Sequence, residues 1–255
     1  MRDKPIIKLY ILKRKRITRN LCCTLLLLVF AFATGCNTVN APVFGGVVKD
    51  VDGNEYHTVT IGSQTWMIEN LKATHYSDST AIPVVTDSAA WKNLQKPGYC
   101  WYSNDSAQNK NSYGALYNWY AVNTGKLAPV GWHVPTEADW TTLENNVTIY
   151  LYASGSLSKI LASTTNWLRS SATGAIGNDL TINNSSGFAA LPGGLRENRG
   201  HSFSSKDSTG GWWSSTIKSD TTVVSLLMRY DLNSVERYNK YKWKGLSVRC
   251  IKDSN

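Results

Sequence analysis

Beyond residue 42 the chain switches between two hydrophobic periods. Residues 43–50 and 56–61 are dense in β-branched side chains and are separated by Asp52-Gly53-Asn54, so they read as two strands joined by a tight turn. Gly62-Ser63 is a second turn signal and residues 65–68 continue as a third strand, completing a meander. The period then lengthens. Residues 113–122 place Leu116, Trp119 and Tyr120 at helical spacing. Pro135 precedes Thr136-Glu137-Ala138-Asp139, a helix-capping signal, and Trp140, Leu143, Val147 and Leu151 recur at helical intervals beyond it. From Gly174 onward the sequence is rich in Gly, Ser and Asn, with short strands predicted at 212–216, 223–230 and 246–251. The pattern predicts an α+β fold with two helices, short antiparallel sheets and a long loop region.

The first 35 residues follow a different logic. Residues 1–20 carry eight Lys and Arg against Asp3, residues 21–33 are apolar, and Ala33-Thr34-Gly35-Cys36 follows. A basic start, a short apolar run and small residues before a cut form an export signal. The run falls short of the roughly 20 residues a membrane-spanning helix needs. The small residues before Cys36 resemble the bacterial lipobox, which implies cleavage before Cys36 and a diacylglyceryl group on its sulfur; an ordinary signal peptide or an uncleaved anchor is the alternative. The chain thus divides into a lipoprotein signal at 1–35, a lipidated tether at 36–43 and one domain at 44–255, placed in the envelope of a Gram-negative bacterium and anchored to the outer membrane. The periplasmic and surface faces both stay open.

This division changes what the charge means. The whole chain has a formal net charge of +9, which on its own would suggest a polyanionic partner. Removing eight of the 27 basic and one of the 18 acidic side chains with the signal leaves 19 against 17, a net of +2. Lys240, Lys242 and Lys244 alternate in a predicted strand and read as the protected face of a sheet edge. Nucleic acid is not an expected partner.

Candidate chemistry is sparse. Cys22 and Cys23 leave with the signal, and Cys100 and Cys250 remain as an even pair in an oxidising compartment, where a disulfide between them is expected and two buried thiols are the alternative. Asp50-Val51-Asp52-Gly53-Asn54 opens like a calcium loop, but Ile61 stands where the closing Glu belongs, so a hairpin turn is the better reading. His57, His75, His133 and His201 have no metal spacing, and no Gly-x-Ser-x-Gly elbow occurs. No catalysis, metal or cofactor is expected.

Several segments, in order, resemble the Fibrobacter succinogenes major paralogous domain of bacterial lipoproteins. They include Ile61-Gly62-Ser63-Gln64-Thr65-Trp66-Met67, Glu69-Asn70-Leu71, Tyr113-Gly114-Ala115-Leu116-Tyr117-Asn118-Trp119-Tyr120, Gly131-Trp132-His133-Val134-Pro135-Thr136, Trp212-Trp213-Ser214-Ser215-Thr216 and Ser247-Val248-Arg249-Cys250. That family is similar to the C-type-lectin-like fold and to formylglycine-generating enzymes. The resemblance implies paired N- and C-terminal strands, two helices and a loop region that in relatives binds ligand. An oxidase of that kind would need Cys100 and Cys250 as copper thiolates, and no basic surroundings are visible to activate them.

Ten tryptophans in an exported protein raise stacking on sugar rings. Trp66, Trp119 and Trp140 sit at inward spacings, whereas strand alternation sends one of Trp212 and Trp213 outward. The outward one, with Trp167, Arg196, Asn198 and His201, is the expected ligand surface, within loops spanning 153–211. Asp followed by Ser or Thr at Ser79, Ser88, Ser106, Ser208 and Thr221 resembles an O-glycosylation signal of some Gram-negative bacteria; ordinary turn chemistry is the alternative. The expected function is non-catalytic recognition of a glycan or an envelope protein, with a structural envelope or adhesion role as the alternative.

Overall fold

The computed structural model describes residues 42–92, 94–148, 156–197 and 203–254. The signal, Cys36, Leu151, Asn198 and His201 lie outside the described residues. Numbered in chain order, the strands are β1 Val43–Lys49, β2 Glu55–Ile61, β3 Gln64–Met67, β4 Tyr99–Cys100, β5 Leu116–Tyr117, β6 Trp132–His133, β7 Gly193–Arg196, β8 Phe203–Lys206, β9 Thr209–Ile217, β10 Thr222–Arg229, β11 Val235–Tyr241 and β12 Ile251–Lys252. The helices are α1 Ser88–Lys92, α2 Ser106–Tyr113, α3 Trp119–Val122, α4 Glu137–Val147 and α5 Leu157–Leu161. Helices and short antiparallel sheets thus alternate along the chain, as the mixed pattern predicts.

The opening meander forms as expected. β1, β2 and β3 pair antiparallel, and the C-terminal β12 adds beside β3, followed by β6, in a five-stranded sheet of order β1-β2-β3-β12-β6. The β1–β2 turn is closed by Asp50, whose carboxylate accepts from the Asn54 backbone N–H at 2.9 Å, the Asn54 amide at 2.8 Å and the Tyr56 hydroxyl at 2.7 Å. Asp52 instead accepts from Thr74 and faces His75. These carboxylates staple a hairpin.

Helix α4 starts where its sequence signal places it. The Thr136 hydroxyl accepts from the Asp139 N–H, and the Asp139 carboxylate accepts from the Thr136 N–H at 2.8 Å, a reciprocal cap. Trp140, Leu143 and Val147 face inward.

The helix expected over 113–122 does not form. Gly114 adopts φ +75°, and a Cβ there would meet the Leu71 carbonyl oxygen at 2.7 Å, so the backbone must turn away at that point. α2 ends before it, 116–117 becomes β5, and Asn118 caps the separate helix α3 by accepting from Ala121 N–H. The strand expected over 246–251 shrinks to β12, because Leu246 and Ser247 bridge singly to Tyr117 and Trp212. The long loop region also holds more structure than expected: α5, a 3-10 turn at Leu180–Ile182 and the β7–β8 hairpin.

Two aromatic-rich clusters lie in the interior. One gathers Tyr56, Met67, Tyr117, Trp119, Trp213 and Val248; the other gathers Trp66, Trp140, Leu143, Ile160, Phe188 and Trp212. In the second, Trp66 lies 4.9 Å from Trp140 and 5.6 Å from Phe188, centroid to centroid.

Candidate ligand-binding cleft

The residues expected to bind ligand are mostly core. Alternation does turn Trp212 and Trp213 to opposite faces of β9, but both faces are covered: Trp212 packs in one cluster and Trp213 in the other. Their indole N–H groups donate to the Asn70 side-chain oxygen at 2.9 Å and the Tyr117 carbonyl at 2.7 Å. Trp167 is also buried and donates to the Ala190 carbonyl. Arg196, 1% exposed, donates to the carbonyls of Val85, Thr86 and Asp87, with its guanidinium 4.2 Å from the Trp91 ring and 5.1 Å from Phe203. It is a structural staple. The surface expected of Trp167, Arg196, Trp212 and Trp213 is therefore corrected.

The disulfide is corrected as well. Cys100 and Cys250 are free, buried thiols in separate clusters. Burial pushes the Cys100 thiol up to about 11, opposed by the neighbouring Arg196, and raises Cys250 further still. Burial thus favours the protonated thiol at both positions. Among the described residues no group of three or more His, Cys, Asp or Glu is placed to hold a metal ion.

The Asp-Ser/Thr sites lie at turns and helix starts. Asp78, Asp87 and Asp105 accept backbone N–H groups of Thr80, Ala90 and Gln108, beside Ser79, Ser88 and Ser106, all exposed. Ser208 is half-buried and donates to the Ser205 carbonyl, while Thr221 is exposed.

Thr221 borders the feature that sequence reasoning missed. Between the end of α1, helix α3, the β9–β10 turn and the end of β11 runs an open cleft of about 630 Å³, lined by Lys92, Leu94, Gln95, Tyr120, Asp220, Thr221, Tyr241 and Trp243. Tyr241 and Trp243 stack at 5.5 Å with their rings within 9° of parallel, and Tyr241 is 50% exposed. Two other surface hollows, one of about 540 Å³ beside His133 and one of about 370 Å³ beside β8, offer no pair of stacked rings.

The cleft walls are pinned from behind. Lys242, between the two stacked residues, places its ammonium 4.9 Å from the Trp119 ring and donates to the Asp220 carbonyl at 2.7 Å. Its backbone N–H donates to Thr221 and its carbonyl accepts from the Trp119 N–H, which ties the β9–β10 turn to α3. Asn118, fully buried, accepts from Gly98 N–H at 3.1 Å and donates to the Lys96 carbonyl at 2.8 Å, fixing the 94–98 segment to α3. Lys244, beyond Trp243, pairs with Glu197 at the end of β7 and lies 5.6 Å from the Trp243 ring. The three lysines read as one solvated face are thus each set over an aromatic ring: Lys240 over Tyr238, Lys242 over Trp119, Lys244 over Trp243.

The signal for this cleft was the Tyr241-x-Trp243 pair interleaved with those lysines. Tyr241 ends β11 and Trp243 lies in the turn that follows, so strand alternation alone does not bring the two rings together. The pieces from 92–95, 120 and 220–221 join them only through the tertiary fold, so no local pattern could assemble them. A preformed concave site with exposed rings and a few hydrogen-bonding groups has the anatomy of a small-ligand site.

Among the described residues no helix is long and apolar enough to cross a membrane. No curated protein and no solved structure matches the chain. The model of one family, the Fibrobacter succinogenes major domain, matches residues 59–252, a span that runs from the end of β2 through β12 and takes in every cleft residue, and the chain belongs to that family.

Proposed function

We propose that this is a lipid-anchored envelope protein of a Gram-negative bacterium that binds a glycan, without catalysis, in the Tyr120–Tyr241–Trp243 cleft. The observation that carries the reading is the stacked Tyr241–Trp243 pair opening into about 630 Å³ beside Gln95, Asp220 and Thr221. Sugar rings offer C–H faces to aromatic rings and hydroxyls to amide, carboxylate and hydroxyl groups, and the cleft supplies both. The lining carries one cation, Lys92, and one anion, Asp220, so it favours neither strongly acidic nor strongly basic ligands. The C-type-lectin-like architecture and the anchor at Cys36 belong to the same proposal; the first is supported by C-terminal β12 pairing with β3 at the end of the N-terminal meander, the second by the lipobox-like sequence.

A glycan array probed with residues 37–255, followed by titration calorimetry of each hit, tests the reading. Tyr241→Ala and Trp243→Ala are expected to weaken a genuine hit at least about tenfold, which is 1.4 kcal/mol, while leaving the thermal unfolding curve nearly in place. An empty array, or hits that neither substitution weakens, refutes it.

A further inference from the structure

β1 is the outermost strand of the five-stranded sheet and, among the described residues, pairs with β2 alone. All but one of its residues are exposed, and the apolar ones stand well out: Val43 is 59% exposed, Phe44 64% and Val47 50%. The register sets Phe44 opposite Val59 and Val47 opposite His57, and it slips between them across Gly45 and Gly46. Val59 and His57 are two residues apart on β2, so Phe44 and Val47 project from the same side of the sheet. An apolar edge strand left open to water invites association, and the question is with what.

The tether answers it. Cys36 precedes Val43 by seven residues, and seven residues of fully extended chain reach at most about 25 Å. With acyl chains on Cys36 buried in a bilayer, β1 is therefore the part of the domain held within that distance of the lipid. β6 closes the opposite edge of the same sheet, four strand spacings or about 19 Å away. We propose that the β1 edge, through Phe44 and Val47, rests in the headgroup layer of the membrane that carries the anchor. An apolar, partly aromatic strip beside a lipid tether suits that interface, where a second weak apolar contact adds to a single anchor. The inference rests on the reading of Cys36 as lipidated.

The test uses the full-length chain, expressed with its own signal, checked by intact mass for a diacylglyceryl group on Cys36, and reconstituted in phosphatidylethanolamine–phosphatidylglycerol vesicles. A polarity-sensitive fluorophore is placed on Phe44→Cys or on Val130→Cys, the latter 87% exposed beside β6; the unanchored control is Cys36→Ser in a chain begun at residue 36, which lacks Cys22 and Cys23, and the native Cys100 and Cys250 are buried and do not compete for label. A water-soluble quencher should reach the label at 44 several-fold less on vesicles than in the unanchored Cys36→Ser chain, and reach the label at 130 equally in both. Hydrogen exchange of residues 43–49 in the otherwise native chain should slow on vesicles relative to Cys36→Ser. Equal quenching at 44 and 130, or unchanged exchange, in a chain whose mass shows the lipid overturns the docking and leaves the anchor standing. A mass without lipid overturns both. Shielding of β1 in the Cys36→Ser chain that grows with protein concentration assigns the edge to a second copy, and also overturns the proposal.

Discussion

Lys159→Met tests how the irregular segment from 156 to 190 is held in one conformation. Lys159 lies on α5 with 1% of its surface exposed, and its ammonium donates to the Asn178 carbonyl, the Asp179 carbonyl at 2.8 Å and the Asn183 side-chain oxygen at 3.1 Å. Asn183 relays the arrangement, donating its amide to the Ser163 carbonyl at 3.1 Å and the Ile176 carbonyl at 3.3 Å. The acceptors are neutral oxygens, so the lysine acts as an internal cation in an oxygen cage. Asp179 sits there with φ +56°, a left-handed conformation that an L-residue keeps only when its surroundings enforce it. Methionine keeps the length of the side chain and removes every donor. Three oxygens left dry would cost about 1–3 kcal/mol each, while the desolvation cost of a buried ammonium, several kcal/mol, is relieved. The net expectation is a loss of about 3 kcal/mol, or roughly 6–12 °C in Tm for a domain of this size. Urea unfolding followed by tryptophan fluorescence measures it. In Lys159→Ala the vacated cage should accept ammonium or potassium ions, so molar concentrations of either should recover part of the stability lost and do little to the wild type. A methionine variant as stable as wild type, or more so, would refute the cage as a stabilising feature.

Other outcomes follow from the same geometry. Asn118→Ala removes the cap of α3 and both bonds to the 94–98 segment, so it should cost about 2–3 kcal/mol and weaken any ligand of the cleft; calorimetry with and without ligand separates the two effects. Arg196→Met, by contrast, should lower stability by about 1–3 kcal/mol, chiefly through the freed carbonyl of Val85, since the Thr86 and Asp87 carbonyls keep the Asn104 amide and the Trp91 N–H; a loss of ligand affinity at unchanged stability would return Arg196 to the binding surface. Alkaline pH should unfold the domain: burial raises Cys100, Cys250, Tyr56, Tyr113 and Tyr117, which keep their protons in the fold and lose them on unfolding. Their stabilisation is complete below the ordinary cysteine value of 9.0 and is lost as pH climbs past it, with Cys100 alone contributing about 2–3 kcal/mol by pH 11. Lys159, Lys240 and Arg249 are lowered and oppose this, but they are fewer; a urea midpoint that does not fall between pH 8 and 10.5 would contradict the balance.

Where local rules act alone, the sequence is legible. The β1–β2–β3 meander and the capped helix α4 follow from turn residues, β-branched density and one reciprocal cap, each contained within a few residues. Legibility fails where backbone turns are imposed from a distance. Gly114 breaks an apparent helix because the 70–71 backbone crowds it, and nothing within 113–122 records that neighbour. The loops after Gly174 read as unstructured because their order comes from buried polar side chains, Lys159, Asn183 and Arg249, rather than from apolar periodicity. For the cleft, Tyr241 and Trp243 were visible beside the lysines of 240–244, but their stacking comes from the turn that follows β11, which strand alternation does not describe. Trp212 and Trp213 were assigned correct opposite faces; only the second covering layer was missing.

The tryptophan content that suggested sugar binding has another cause. Eight of the ten, Trp66, Trp91, Trp101, Trp119, Trp140, Trp167, Trp212 and Trp213, are buried, leaving Trp132 and Trp243 half-exposed. Strands of two residues, such as β4, β5, β6 and β12, satisfy few carbonyls, and a fold built from them needs side-chain donors inside. Indole supplies one N–H on a large apolar body, and Trp119, Trp167 and Trp213 each spend it on a backbone carbonyl, of Ser214, Ala190 and Tyr117. Trp91 and Trp140 are equally buried, yet their N–H groups have no partner among the described residues. That contrast separates the two roles of the ring. Trp213→Phe loses packing and one hydrogen bond to the Tyr117 carbonyl, which keeps the Leu246 N–H, whereas Trp140→Phe loses packing and an N–H without a partner among the described residues. The first should therefore cost about 0.5–1.5 kcal/mol more than the second in urea unfolding, the net worth of one hydrogen bond. Equal costs would mean that the indoles serve as bulk alone, and the number of tryptophans would again need a ligand to explain it.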